Sequence, residues 1–320
     1  MKIKIVAYFS LLAFSQVSTA ANLFVSSGAT GQECLEHSPC ATIQQAVDIS
    51  SPGDDIHVAA GTYVENVSIG GPKNPNTKPG ITISGQGSEN TIVVSAGGKG
   101  MRPAGVPADI IFDVWSADVT IEKLRIKHPD SNSLKREIGV FVGPPAVNAT
   151  LRKSTIVRYR VGPDLEPTSP GSRGILVFKA TGSVITRNFF EGSYEDHIHM
   201  PTSNSQINNN KVTNAKRLGI VIIQETADSN STGSIIADNK VDGSGTDGIQ
   251  IQGDQNIIIN NKVKNSGSAG IKLCGINVTG DCVMPFEQWS EASGNIVNHN
   301  ELEENAAGIV DNGSNNIIRD

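Results

Sequence analysis

The sequence predicts an all-β fold: a right-handed parallel β-helix, or solenoid, with a short N-terminal capping helix. Three observations predict it. The first is a repeated phrase. It reads Ile207-Asn208-Asn209-Asn210-Lys211-Val212, then Gly219-Ile220-Val221-Ile222. It returns as Ile236-Ala237-Asp238-Asn239-Lys240-Val241, then Gly248-Ile249-Gln250-Ile251, and as Ile258-Ile259-Asn260-Asn261-Lys262-Val263, then Gly270-Ile271-Lys272-Leu273. The second is its period. Asn188, Asn210, Asn239, Asn261 and Asn300 are separated by 22, 29, 22 and 39 residues. A base period of about 22 with insertions is the length of one β-helix rung, and insertions map to loops. The third is the alternation of apolar and polar residues in each half-phrase, which gives two short strands separated by a turn. A leucine-rich solenoid would need Leu where this chain has Ile and Val, and no six-residue period is present.

Stacked rungs pair about 4.8 Å apart, so equivalent residues form columns. Asn at a fixed corner tolerates a left-handed backbone and can bond up and down the stack. Gly before Ile permits a tight entry into the next strand. Ile220 and Ile222, Ile249 and Ile251, and Ile271 and Leu273 point inward as core.

From the N-terminus, Met1–Ala20 carries Lys2 and Lys4, an apolar stretch 5–14, and Ser18-Thr19-Ala20 before a cleavage point. This reads as a secretory signal peptide of bacterial type. Residues 21–320 then form a single domain, exported and without a membrane span. Ile43, Ala46 and Val47 share one helical face, Pro52-Gly53-Asp54 is a turn, and Asp55–Val58 starts a strand. Four cysteines, Cys34, Cys40, Cys274 and Cys282, suggest two disulfides in an exported chain. Of the three connectivities, Cys34–Cys40 with Cys274–Cys282 closes the shortest loops. Sequons at Asn66, Asn148, Asn230, Asn277 and Asn312 read as chance in so Asn-rich a chain. Asn315 to Asp320 stop in mid-rung. An open last rung is an edge for pairing, so either the loop 275–294 folds over it or another chain associates there.

The run Cys40-Ala41-Thr42-Ile43-Gln44-Gln45-Ala46-Val47-Asp48, followed by Ser51-Pro52-Gly53-Asp54-Asp55-Ile56 and Gly61-Thr62-Tyr63-Val64-Glu65-Asn66, resembles the start of many pectin-lyase-like β-helix proteins. The resemblance covers residues 23–95, and 119–318 through the rungs. It implies a helix capping the coil, followed by the first rung. It does not imply one activity, because lyases, hydrolases, esterases, epimerases and non-enzymatic surface proteins share the fold. The Gln-Asp-Thr and Asp-Phe-Ile-Phe-Gly motifs of pectin methylesterases are absent, as is a polygalacturonase-type Asp-Asp pair beside Asn-Thr-Asp.

The formal charge is -6, and removing Lys2 and Lys4 makes the mature chain -8. Residues 22–98 carry -5 (two basic, seven acidic), 99–187 carry +6 (fourteen and eight), and 188–320 carry -9 (eight and seventeen). The basic middle suits an anionic polysaccharide, because local potential outweighs net charge. An acidic exported chain without interleaved aromatic and basic runs excludes nucleic acid as a partner.

One copy of the phrase breaks. Nine residues after Asn188, where Gly-Ile belongs, stands His197-Ile198-His199-Met200, preceded by Tyr194-Glu195-Asp196. By the columns, Ile198 and Met200 point inward, and His197 and His199 point outward on one exposed face. Arg173 shares a column with Asp196. The rung before supplies Leu176 and Phe178, those after supply Leu218, Val221 and Ile223, then Asp247, Gln250 and Gln252, then Lys272. The outward aliphatics imply a covering loop, 161–173, or a sugar-stacking wall. Trp115 and Trp289 are expected elsewhere.

Elimination from, or epimerisation of, a uronic acid needs a cation, a base at C5 and an acid. Arg173 or Lys179 could neutralise the carboxylate. His199 or His197 could be the base, Tyr194 the acid, and Asp196 the group that orients a histidine. Gln250 and Lys272 would bind substrate. The segment resembles the Tyr-x-x-Asp-x-His motif of bacterial alginate C5-epimerases, but Tyr194 to Asp196 spans two positions rather than three, and Asp196 to His199 three rather than two. No metal or cofactor is implied. The expected function is therefore action on, or binding to, a polysaccharide, as a uronate lyase or C5-epimerase. The alternatives are a non-catalytic surface protein of adhesin type and, more remotely, a periplasmic maturation factor.

Overall fold

The computed structural model describes residues 20–71, 77–98, 100–101, 107–129, 136–158, 171–192, 194–224, 231–275, 282 and 291–319. The segment read as a signal peptide, most of the loops expected at 161–173 and 275–294, and Trp289 lie outside these.

Each full rung contributes one strand to each of three parallel sheets, in the order first, second, third. In the rung of the first phrase copy these strands are Gln206–Asn208, Lys211–Thr213 and Leu218–Ile223. The coil is thus a parallel β-helix, as the repeat predicts, with one correction. The half-phrase read as a single run is two three-residue strands in different sheets. The break between them is a left-handed residue: Arg187, Asn209, Asp238, Asn260 and His299 all have φ between 51° and 57°. The residue that turns the corner therefore precedes the ladder Asn rather than being it.

The ladder Asn serves the stack. Asn188 Nδ2 donates to Asn210 Oδ1 at 3.1 Å, and the chain continues through Asn239, Asn261 and Asn300 at 3.0 Å each. Each Oδ1 also accepts the backbone N–H of the Asn one rung back. Buried backbone groups at a corner need such partners. A second, shorter ladder, Asn256–Asn295–Asn316, runs along the corner leading into the first sheet.

The core is a continuous column of buried aliphatics from Leu23 to Val297. The glycine before each inward Ile has a steric reason. A Cβ on Gly219 would stand 2.5 Å from Val241 Cγ1, and one on Gly248 would stand 2.2 Å from Val263 Cγ1. The column faces the interior and has no room for a side chain beside a valine.

The N-terminal helix is Ile43–Ile49, with Thr42 as N-cap and Ile43, Ala46 and Val47 buried. The Glu65 carboxylate accepts from the N–H groups of Ile43 and Gln44 at 2.9 Å each, tying the helix to the first rung. The disulfides Cys34–Cys40 and Cys274–Cys282 are both formed. No helix among the described residues is long and apolar enough to cross a membrane.

Candidate functional site

The broken rung is the third-sheet strand Asp196–Met200, between Arg173–Val177 and Leu218–Ile223. Register pairs Arg173 with Asp196 and Leu218, and Leu176 with His199 and Val221, followed by Gln250 and Lys272. The candidate residues lie on two sides of the sheet and are not solvent-exposed.

Outside the coil, Asp196 is fully buried. Arg217 donates to both its oxygens, Nε to Oδ1 at 2.9 Å and an η-nitrogen to Oδ2 at 2.7 Å. Arg173 Nε stands 3.1 Å from Oδ2. Glu195 joins both guanidiniums, at 3.3 Å from Arg173 and 2.9 Å from Arg217. Among the described residues, two cations meet two carboxylates, so their charges balance. Burial alone would raise the Asp196 carboxyl, but the charges of Arg173 and Arg217 and the bond from His199 outweigh it and hold it well below the usual carboxylate range. A carboxylate only accepts, so the 2.9 Å contact with His199 Nδ1 is an N–H donation. The lone pair of a neutral His199 is then on Nε2, the arrangement of an oriented base. His199 itself is 1% exposed.

Inside the coil lie His197, which the column rule placed outside, and Tyr194, which was expected beside His199 as the acid. His197 occupies the glycine column, and its ring packs 6.1 Å from Phe190 and 5.9 Å from Tyr194, both core residues. Its Nε2 meets the Thr213 carbonyl at 3.0 Å. The period-2 rule fails because the chain turns a corner here, so residues 197 and 198 both face inward. Burial pushes the His197 imidazole down to about 4, so it is neutral at pH 7.

Tyr194 is also fully buried. Its hydroxyl is 2.8 Å from His128 Nδ1, while His128 Nε2 meets the Asp109 carbonyl at 3.3 Å. Nε2–H therefore donates to the carbonyl, and Tyr194 donates to Nδ1. Burial holds His128 down to about 4 and pushes the Tyr194 hydroxyl above its usual range. Around them the Asp109 carboxylate accepts from Ser95 at 2.7 Å and Asn66 at 2.9 Å, and Arg158 pairs with Glu137. Tyr194 belongs to this inner network and is not an acid beside His199.

The remaining predicted residues are spread along the sheet. Lys179 stands past the far end of the strand from Arg173, with its ammonium 5.4 Å from the Phe178 ring. Gln250 is in the His199 column and fully buried, and among the described residues neither of its amide atoms has a partner. Lys272 follows it and is half-buried. The outward aliphatics form two clusters on either side of Asp196 and His199. One is Ala108, Ile110, Trp115, Ile138, Phe141, Leu176 and Phe178; the other is Leu218, Val221 and Ile223. Trp115, expected elsewhere, is thus on this same face. Its Nε1 donates to Asp113 at 2.6 Å, and burial raises the Asp113 carboxyl to about 6.

Sequence reasoning missed Glu195 and Arg217, although they are 22 residues apart, one base period, and opposite in charge. It also missed Asp109, His128, Glu137 and Arg158. Asp109 and Glu137 are register partners, but 28 residues apart, so the base period does not relate them.

Residues 111–240 match the family model described as a right-handed β-helix region. No curated protein sequence matches the chain. Among solved structures, pectin methylesterase PemA from Erwinia chrysanthemi is 12% identical, with 94% of each chain covered and a TM-score of 0.54. The GH136 lacto-N-biosidase from Eubacterium ramulus is 11% identical, with 93% of this chain and 68% of that one covered and a TM-score of 0.55. The Dettilon tailspike protein gp208 is 15% identical at a TM-score of 0.53. The match covers 81% of this chain and 45% of the tailspike, so this chain spans less than half its length. At these identities the likeness is one of fold, and the fold is the right-handed parallel β-helix.

Proposed function

We propose that this protein acts on or binds a polysaccharide, with polyuronates as the first class, along the outer face of the third sheet. The observation that carries the reading is the Asp196–His199 pair on that face. A buried carboxylate held ionised by two arginines fixes the tautomer of a histidine, which is what a base for the C5 proton of a uronate requires. Gln250, whose buried amide in the same column has no partner among the described residues, and Lys272 beyond it supply hydrogen bonds and a cation for a sugar chain running along the sheet. The names of the structural neighbours, pectin methylesterases and a lacto-N-biosidase, support carbohydrate as the class. Tyr194 and His197 have no part in this chemistry.

A second reading has its own observation. Because His199 is closed to solvent and the charges around it are balanced, the cluster also suits a purely structural role, with the face binding glycans without turnover. The two readings separate in one experiment. Purified protein is incubated with alginate, polygalacturonate and glucuronan, following absorbance of the unsaturated product, exchange of the C5 proton, and retention in affinity electrophoresis. Turnover lost on His199→Ala supports the enzyme. Retention without turnover supports the binding protein. Neither turnover nor retention on the panel would sink both.

A further inference from the structure

The first sheet carries a separate feature on its outer side, at the N-terminal end. A cleft of about 610 Å³ is lined by Phe24, His57, Ser84, Gln86, Glu36 and Lys123, among others. That volume lies within the usual range for small-ligand sites, roughly 300–1,000 Å³. Phe24, His57 and Ser84 are in register on adjacent strands, so they form one outward column.

The cleft is built rather than incidental. The Phe24 and His57 rings stack with centroids 5.2 Å apart and planes 29° apart, which makes a two-ring platform. His57 Nε2 meets Asn22 Oδ1 at 2.8 Å. Donation to that carbonyl oxygen fixes the ring and leaves Nδ1 as an acceptor in the neutral form. Phe24 is half-buried and His57 exposed, so the platform is open to a ligand. The Cys34–Cys40 disulfide closes the loop that presents Glu36 and Pro39 at one edge. At the other edge Lys123 Nζ stands 2.9 Å from Glu122 and 3.4 Å from Ser84.

We infer that this cleft binds a neutral pyranose unit of a glycan. The C–H face of a pyranose is weakly positive and suits the negative faces of stacked rings. The hydroxyls at its rim meet the Glu36 carboxylate, the Gln86 amide, the Ser84 hydroxyl and His57 Nδ1, a mixed set of donors and acceptors. Lys123 and Arg152 share Glu122, at 2.9 and 2.5 Å, and Glu36 makes two carboxylates against these two cations, so the cleft offers no surplus cation for a uronate. Its ligand class therefore differs from the one proposed for the third sheet, and the inference does not rest on that reading.

The test is titration of the purified protein with cellotetraose, xylotetraose, mannotetraose and β-1,4-galactotetraose, with tri-galacturonate as the acidic comparator. Saturation-transfer NMR and calorimetry report binding, and the His57 imidazole resonances report place. At least one neutral tetraose should bind and shift His57. Phe24→Ala and His57→Ala should each weaken binding about fivefold to tenfold, the loss of one stacked ring. Gln86→Ala, an exposed change, tests the rim should Phe24→Ala disturb the first strand. The inference is overturned by no binding of any neutral tetraose, by tighter binding of tri-galacturonate, or by wild-type affinity in both His57→Ala and Gln86→Ala. Tetraose binding and polyuronate turnover are separate readouts, so either can fail while the other stands.

Discussion

Asp196→Asn is the sharpest perturbation of the outer cluster. The carboxylate is fully buried and faces Arg217 at 2.9 and 2.7 Å, Arg173 at 3.1 Å and His199 at 2.9 Å. Removing one member of a buried ion pair leaves uncompensated charge and costs about 3–5 kcal/mol. Asparagine keeps the shape, and Glu195 still faces both guanidiniums, so the low end applies, about 3 kcal/mol at pH 7. The pH dependence gives a second check. The folded pKa is held below the unfolded value of about 3.9, so the contribution is complete above that pH and is lost as pH falls toward the folded pKa. The difference between wild type and variant should therefore be flat from pH 7 to about pH 5 and shrink below about pH 4, by at most about 1.4 kcal/mol per unit. Urea denaturation followed by circular dichroism, at steps from pH 7 to pH 2, measures it. A cost under about 1 kcal/mol at pH 7, or one that does not shrink below about pH 4, would refute the buried ionic assignment.

Asn239→Ala, in the middle of the ladder, removes the partner of buried donors in Asn210 and should lower stability by about 1–3 kcal/mol; denaturation equal to wild type would show that the ladder adds nothing. Asp113→Asn should stabilise the protein at pH 7.5 by on the order of 1 kcal/mol. Its folded pKa of about 6 lies above the unfolded one, so the native carboxyl favours its proton and its ionisation opposes folding. The gain should vanish below about pH 4, and a loss of stability at pH 7.5 would contradict the sign. His197→Gly restores the repeat. It should flatten the decline of stability between about pH 6.5 and about 4, where the unfolded imidazole takes up a proton that the buried one refuses. Melting temperatures across that range check it, and an unchanged slope counts against a buried neutral His197.

The coil was legible because its determinants repeat. Asn210, Asn239 and Asn261 mark one corner, Gly219, Gly248 and Gly270 the next, and both come from a single packing requirement copied rung by rung. The register was legible for the same reason, so Arg173 was placed beside Asp196 and Gln250 below His199. Side-chain direction was not. Alternation holds over most of each strand, but at His197 and Ile198, near the start of the third-sheet strand Asp196–Met200, two successive residues face the core. Burial was not legible either: alternation puts His199 and Gln250 on the outward side of the sheet, but outward direction does not fix exposure, and both are buried. The inner network shows the same limit. Asp109, His128, Glu137, Arg158 and Tyr194 meet at the corner between the second and third sheets from five different segments, and even the register partners Asp109 and Glu137 are not one base period apart.

The broken rung is therefore better understood as a wall with two faces than as a surface site. Tyr194 and His197 look into the coil, where desolvation holds His197 neutral and Tyr194 protonated. Glu195, Asp196 and His199 look out, where two guanidiniums hold Asp196 ionised. Three titratable side chains within four positions, Tyr194, Asp196 and His197, are thus held in fixed protonation states at neutral pH, and Glu195 and His199 complete the outer cluster. Variants of this strand must be interpreted by face. A loss of activity in Tyr194→Phe or His197→Ala reports on the core, since both contact Phe190 or His128 rather than the outer column. A loss confined to His199 or Arg217 variants, with the fold intact, reports on the outer face, where a polymer would lie.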